Sequence, residues 1–184
     1  HVYDLGYDGT REYRGIAMLH AMTVDATDDG SNESASLKAL AYEEFDENLD
    51  GYPETARGIT LEAELTDATS NGAPEQVCLE LYAGAFRDAN SNGVKDGIEA
   101  AKLEMMATDE TDDGHFELVQ LTFVAVAGVD ENEDENPEAA ATVFGQVNVT
   151  DADSSGIPEL VEATVLAGAF VDADSDGVRE KESL

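Results

Sequence analysis

Ile59, Leu61, Ala63 and Leu65 alternate with Thr60, Glu62, Glu64 and Thr66. A period of two puts one set of side chains on a single face of an extended strand. The same face continues through Val77, Leu79, Leu81, Ala83 and Ala85, through Leu103 and Met105, and through Val119, Leu121, Phe123, Ala125 and Ala127. Val143, Val147, Val149, Val161, Ala163, Val165 and Ala167 extend it, and every one of these positions is odd-numbered. Eight segments of equal length carry the pattern, 13–24, 34–45, 55–66, 76–87, 97–108, 118–129, 139–150 and 160–171. Each is predicted to be a β-strand.

What lies between the strands is equally regular. Asp4, Asp25, Asp46, Asp67, Asp88, Asp109, Asp130, Asp151 and Asp172 recur at a constant 21-residue step. Four residues on stand Asp8, Asp29, Asp50, Asn71, Asn92, Asp113, Asp134, Ser155 and Asp176, all oxygen-bearing, and in eight of nine cases the next residue is Gly, Glu135 being the exception. Eight residues after each first Asp comes an acid every time: Glu12, Glu33, Glu54, Glu75, Asp96, Glu117, Glu138, Glu159 and Glu180. The third loop position separates two alternating series, Asn48, Asn90, Asn132 and Asp174 against Thr27, Thr69, Thr111 and Asp153. The true repeat is therefore a 42-residue unit with two unlike turns, and the chain is expected to form a single repeat domain, 1–184, of nine 21-residue units.

Parity decides how the strands are arranged. In a solenoid with one 21-residue rung, residue i stacks on i+21, so the inward parity would flip at every rung; it stays odd throughout. In an antiparallel meander, facing residues have a constant number sum, and Leu65 opposite Val77, Ala63 opposite Leu79 and Leu61 opposite Leu81 keep one face apolar. The expected fold is all-β, an antiparallel meander closed as a sandwich or a barrel, with the Asn-series turns at one end and the Thr-series turns at the other. A solenoid with a two-strand, 42-residue rung is the weaker option. The Ala and Val of the inward face suggest a narrow interior without a ligand-sized cavity. Val124, Val126, Leu166 and Phe170 make the last strands apolar on both faces, which asks for a second layer or a neighbouring subunit.

Charge narrows the partners. Against 42 acidic residues stand 9 basic ones, a formal charge of -33 that repels phosphate backbones and anionic membrane surfaces and attracts cations. Nucleic acid and membrane insertion are not expected. All but Asn71, Asn92 and Ser155 of the 27 residues at the three repeat-locked positions are acidic, so 24 of the 42 acids sit at repeat-locked places in the turns. Cys78 is alone, so no internal disulfide framework forms, and it is expected to be a packed thiol.

Calcium takes six to eight hard oxygens at roughly 2.3–2.6 Å, and alternating side chains in a tight loop converge on one point when a Gly permits a sharp turn. The loops follow D-x-[DN]-x-[DN]-G-x-x-[DE]. Asp172, Asp174, Asp176 and Glu180 form the fullest instance, and Asp88, Asn90, Asn92 and Asp96 come close. Asp46, Asn48, Asp50 and Glu54, then Asp130, Asn132, Asp134 and Glu138, belong to the same series. Poorer ligand sets are Asp4, Asp8 and Glu12; Asp25, Asp29 and Glu33; Asp67, Asn71 and Glu75; Asp109, Asp113 and Glu117; and Asp151, Asp153 and Glu159. The motif resembles the calcium loops of EF-hands, dockerins, thrombospondin type 3 repeats and integrin-type propeller repeats, over the loops only. An EF-hand would need Glu at the twelfth loop position, where this chain has Gly15, Ser36, Arg57 or Ser183. The alternative is that Asp, Asn and Gly build ordinary hairpin turns without metal.

His1, His20 and His115 are the only histidines, and no nucleophile pattern accompanies them, so an enzyme is not expected. Copper held by His1 with a second His, a membrane barrel and a halophilic intracellular protein are weighed and set below the calcium reading. The barrel would need aromatic girdles, and there is no Trp. The expected function is a secreted or cell-surface calcium-binding structural or adhesive protein, holding several ions per chain and forming homo-oligomers or filaments by strand addition. A calcium-dependent carbohydrate- or protein-binding module of a larger surface protein is the alternative. His1 to Tyr3 and Lys181 to Leu184 look like strand fragments cut in mid-repeat, from which filament growth or a longer array is expected.

Overall fold

The computed structural model describes residues 2–3, 13–130, 132, 137–172 and 181–183. Ten strands follow one another: β1 (Val2–Tyr3), β2 (Tyr13–Val24), β3 (Ser34–Phe45), β4 (Thr55–Thr66), β5 (Gln76–Arg87), β6 (Gly97–Thr108), β7 (Leu118–Val129), β8 (Ala139–Thr150), β9 (Leu160–Val171) and β10 (Lys181–Ser183). The eight long strands begin and end where the turn repeat places them. All ten lie in one sheet in chain order, every neighbouring pair antiparallel.

Register follows from the turns. With every turn nine residues long and every long strand twelve, each residue of one strand has a partner in the next. Leu65 faces Val77, Ala63 faces Leu79 and Leu61 faces Leu81, and odd residues meet only odd residues across the whole sheet. Cross-strand pairs of opposite charge add to this. Lys38 meets Glu62 at 2.8 Å, Arg14 meets Glu44 at 3.5 Å and Arg57 meets Glu43. The Lys102 ammonium lies 5.0 Å from the Tyr82 ring, its register partner, and also pairs with Glu104. Gly145 faces Phe123, whose ring lies over the glycine: a Cβ there would run into the ring edge. The missing side chain is what lets the ring lie flat on the sheet, an aromatic covering of a strand glycine.

The expected closure into a barrel does not occur. Pairing runs from β1 to β10 and no ladder joins those two strands, so the sheet is open. β1 pairs with Tyr13 and Arg14 of β2, and β10 with Ala169 to Val171 of β9. Among the described residues the fully buried hydrophobic side chains are two alanines, Ala56 and Ala107. The odd face is half-buried where Leu61, Leu65, Leu79, Leu103 and Phe123 lie side by side. Towards the Asn-series turns, Ala17, Ala41, Ala83, Ala85, Ala101 and Ala125 are too small to fill that face, and a trough of about 850 Å³ runs from β2 to β8. The Ala content thus leaves an open trough where a narrow filled interior was expected. The outer strands stay exposed on both faces, with Met18 and Leu19 of β2 at 64% and 74% and Val165 and Leu166 of β9 at 64% and 63%. The Cys78 thiol is free and half-buried.

Candidate metal centres

The six fully described turns have the same backbone. The fourth residue takes a left-handed conformation, with φ from 54° to 68° at Asp28, Leu49, Ser70, Ser91, Asp112 and Ser154. The sixth is a glycine with φ from 76° at Gly156 to 92° at Gly30 and Gly51, a region that L side chains rarely enter. The two reversals fold the loop over its own first residue. That residue is always Asp because the loop's N–H groups converge on it. Asp88 Oδ2 accepts from Gly93 N–H at 2.7 Å and Oδ1 from Asn92 N–H at 3.2 Å. The same pair of bonds recurs at Asp25, Asp67, Asp109 and Asp151, and at Asp46 the Oδ1 bond comes from Leu49. The ninth residue closes the loop from the other side. One oxygen of Glu33, Glu54, Glu75, Asp96, Glu117 and Glu159 accepts the N–H of the second loop residue.

These bonds carry the acids inward. Asp46, Asp67, Asp88, Asp96, Asp109, Asp151 and Asp172 are buried, Asp88 at 2% exposure. Four loops bring three carboxylates together, with one oxygen of each within 4.8 Å of the others: Asp25, Asp29 and Glu33; Asp46, Asp50 and Glu54; Asp109, Asp113 and Glu117; Asp151, Asp153 and Glu159. Such a cluster of oxygens can geometrically hold a metal ion. In the loop 67–75, Asp67 and Glu75 are joined by Asn71, and in 88–96, Asp88 and Asp96 by Asn90 and Asn92, so those two offer two carboxylates each. Asp130, Asn132 and Glu138 are described, but Asp134 is not. Asp4, Asp8, Glu12, Asp174, Asp176 and Glu180 also lie outside the described residues, and with them the fullest loop of the sequence, of which buried Asp172 alone is seen.

The loops form two rows, one at each end of the strands. A backbone bond ties each to the next in its row: Asp67 N–H to Glu33 O, Asp109 to Glu75 and Asp151 to Glu117 at one end, Asp88 to Glu54, Asp130 to Asp96 and Asp172 to Glu138 at the other, at 2.7–2.9 Å. Two strand spacings of 4.7–4.9 Å put neighbouring loops of a row about 10 Å apart. The Thr row adds side-chain links, Ser70 hydroxyl to Glu33 Oε1 at 2.8 Å, Ser154 hydroxyl to Glu117 Oε1, and Asn71 Nδ2 to Asp112 Oδ1 at 2.6 Å. In the other row the Tyr52 ring packs over Gly93. Among the described residues, the strand ion pairs of Arg14, Lys38, Arg57 and Lys102 are made with strand glutamates rather than with loop carboxylates.

Hydrogen bonding shapes the acidity of the ninth residue. Glu33 is lowered to about 2, chiefly by the Thr27 hydroxyl, with Ala26 N–H and Ser70 behind it. Glu117 is lowered to about 2 by Ser154 first and Thr111 second. For Glu75, burial opposes ionisation, but the Ala68 N–H and Thr69 outweigh it and the net shift is downward. Asp153 is lowered by the Ser155 hydroxyl and then by contact with Glu159.

Ser70, Ser154 and Asn71, which reach into neighbouring loops, were not singled out as contacts from the sequence. Ser70 and Ser154 are the fourth residues of their turns and Asn71 the fifth, but Ser91 and Ser175 also stand at fourth positions, so only the row arrangement shows what Ser70, Ser154 and Asn71 touch. No protein-family model matches this chain, and comparisons with curated proteins and with solved structures likewise give no match.

Proposed function

We propose that this chain is a calcium-binding structural protein of the secreted or cell-surface space, in which ions bound at the turns stiffen a long open sheet. The observation that carries the reading is the Asp46, Asp50 and Glu54 cluster, three carboxylates drawn within 4.8 Å of one another and beyond the reach of the strand ion pairs. All its donors are hard oxygens, without His or Cys, which favours calcium over zinc or copper. A set of only three carboxylates suits the weak affinities of extracellular calcium modules, about 10⁻⁴–10⁻³ M. Assembly is supported by the apolar side chains Met18, Leu19, Val165 and Leu166, which β2 and β9 expose on both faces.

A second reading, a calcium-dependent binding module for carbohydrate or protein, draws on the trough between β2 and β8, lined by alanines together with Tyr13, Tyr42, Glu43 and Arg57. Calcium titration calorimetry with elemental analysis of the dialysed protein tests the calcium reading, and electron microscopy with calcium and with chelator tests assembly. Several calcium ions per chain and filaments or sheets are expected. A chain that takes up no calcium at millimolar concentration, and melts at one temperature with or without chelator, overturns it. Glycan and peptide arrays with and without calcium distinguish the second reading.

A further inference from the structure

The turns share one backbone, yet they treat the ninth carboxylate in two ways. Where the third residue is Thr, donors fill the oxygen that the second residue's N–H leaves over. Thr27 and Ser70 place hydroxyls on Glu33 Oε1 at 2.7 and 2.8 Å, and Thr111, at 2.7 Å, and Ser154 do so on Glu117 Oε1. Thr69 gives Glu75 Oε1 its N–H at 3.1 Å. Where the third residue is Asn, the equivalent oxygen is Glu54 Oε1 or Asp96 Oδ1, and each is sealed from solvent with no hydrogen-bond partner. The residues themselves are 9% and 7% exposed.

A buried carboxylate oxygen without a donor is costly unless a cation meets it. Asn48 does not meet the need, since its Oδ1 accepts Asp50 N–H at 2.9 Å and its Nδ2 donates to Asp50 Oδ2 at 3.1 Å. Glu54 Oε1 belongs to a residue that shares a 4.8 Å cluster with Asp46 and Asp50. The 46–54 loop therefore combines clustered carboxylates with a buried oxygen that no donor meets, a place a cation would fill.

We infer that the third turn residue selects between two kinds of turn: Asn leaves the loops 46–54 and 88–96 to a calcium ion, whereas Thr, joined by the serine of the next loop, fills that place with hydroxyls and leaves 25–33 and 109–117 metal-free, latched to the next loop of their row by Ser70 and Ser154. The inference rests on the calcium reading above and narrows it to one end of the sheet. Removing calcium then loosens the Asn row and leaves the Thr row closed.

The test is calcium titration calorimetry on the full chain, together with hydrogen exchange read by mass spectrometry with and without chelator. Glu54→Gln is expected to bind one calcium fewer than the parent, and Glu117→Gln the same number. Asn48→Thr, which replaces the Asn by the latch residue and keeps the turn, is expected to lose one calcium and to make 46–54 exchange slowly even in chelator. Chelator is expected to speed exchange in 46–54 and 88–96 and to leave 25–33 and 109–117 unchanged. A parent chain that binds calcium while Glu117→Gln loses an equivalent, or while Glu54→Gln and Asn48→Thr keep the full number, overturns the selection rule and leaves the calcium reading standing. A parent chain that binds none overturns both.

Discussion

Asp88→Ala isolates what the first loop carboxylate does for the fold apart from any ion. Asp88 accepts from Gly93 N–H at 2.7 Å and from Asn92 N–H at 3.2 Å while 2% exposed. A hydrogen bond to a charged acceptor contributes about 1.5–3 kcal/mol. The 3.2 Å bond belongs at the weak end and water can reach an opened loop, so the two together contribute about 3 kcal/mol. Removing a negative charge from a loop that also holds Asp96 returns about 1 kcal/mol at contact distance in a water-like dielectric. The net expected loss is about 2 kcal/mol, which at about 2 kcal/mol per molar of urea moves the midpoint down by about 1 M. Urea unfolding followed by circular dichroism in excess chelator measures it. Asp88→Asn keeps one acceptor oxygen for Gly93 and should recover about half of the loss. A shift under about 0.5 kcal/mol for Asp88→Ala, or equal losses for both variants, would refute the claim that this carboxylate closes the turn.

Gly145→Ala puts a Cβ into the Phe123 ring and should cost about 1–3 kcal/mol, and pairing it with Phe123→Leu should restore most of that in the same unfolding assay. Glu33 and Glu117, held at about 2 against an ordinary 4.5, ionise more readily folded than unfolded, so their contribution is complete above about pH 5 and is lost as the pH falls towards 2. Relief of repulsion among the other acids acts the opposite way, so the readout is a difference: melting temperature against pH in calcium-free buffer should fall less steeply for Thr27→Val with Thr111→Val than for the parent. Superimposable curves would show that the hydroxyls do not set those acidities.

Strands and register were legible in the sequence because the turns are punctuation of fixed length. Once Asp88 and Asp109 mark the flanking turns, twelve residues lie between Asp96 and Asp109, and the odd positions Leu103 and Met105 fix which face is apolar. The clusters were legible for the same reason, since left-handed residues such as Ser91 and glycines such as Gly93 can form only a few kinds of loop. Closure was not legible. An alternating pattern states that a face is apolar but does not name what covers it, and Ala83, Ala101 and Ala125 suit a filled interior and an open trough equally well. Nor could the sequence show that Glu33 and Glu54, identical in type and position, differ in the fate of one oxygen, because Thr27 and Ser70 meet on Glu33 Oε1 only once two loops of the row lie side by side.

Constant-sum register has a consequence for how such a chain can change length. Excising or duplicating two successive units removes or adds a pair of strands and one turn of each series, and every remaining residue keeps its partner type and its face. Excising a single unit, such as 55–75, would lay Gln76 opposite Phe45 and swing Val77, Leu79 and Leu81 to the opposite side of the sheet. Length can therefore vary in steps of one hairpin, each widening the sheet by about 10 Å, while half-steps are forbidden by the alternation of side chains. Unequal recombination between gene copies would yield working products only at that spacing, so the width of the sheet becomes a heritable quantity with a built-in unit.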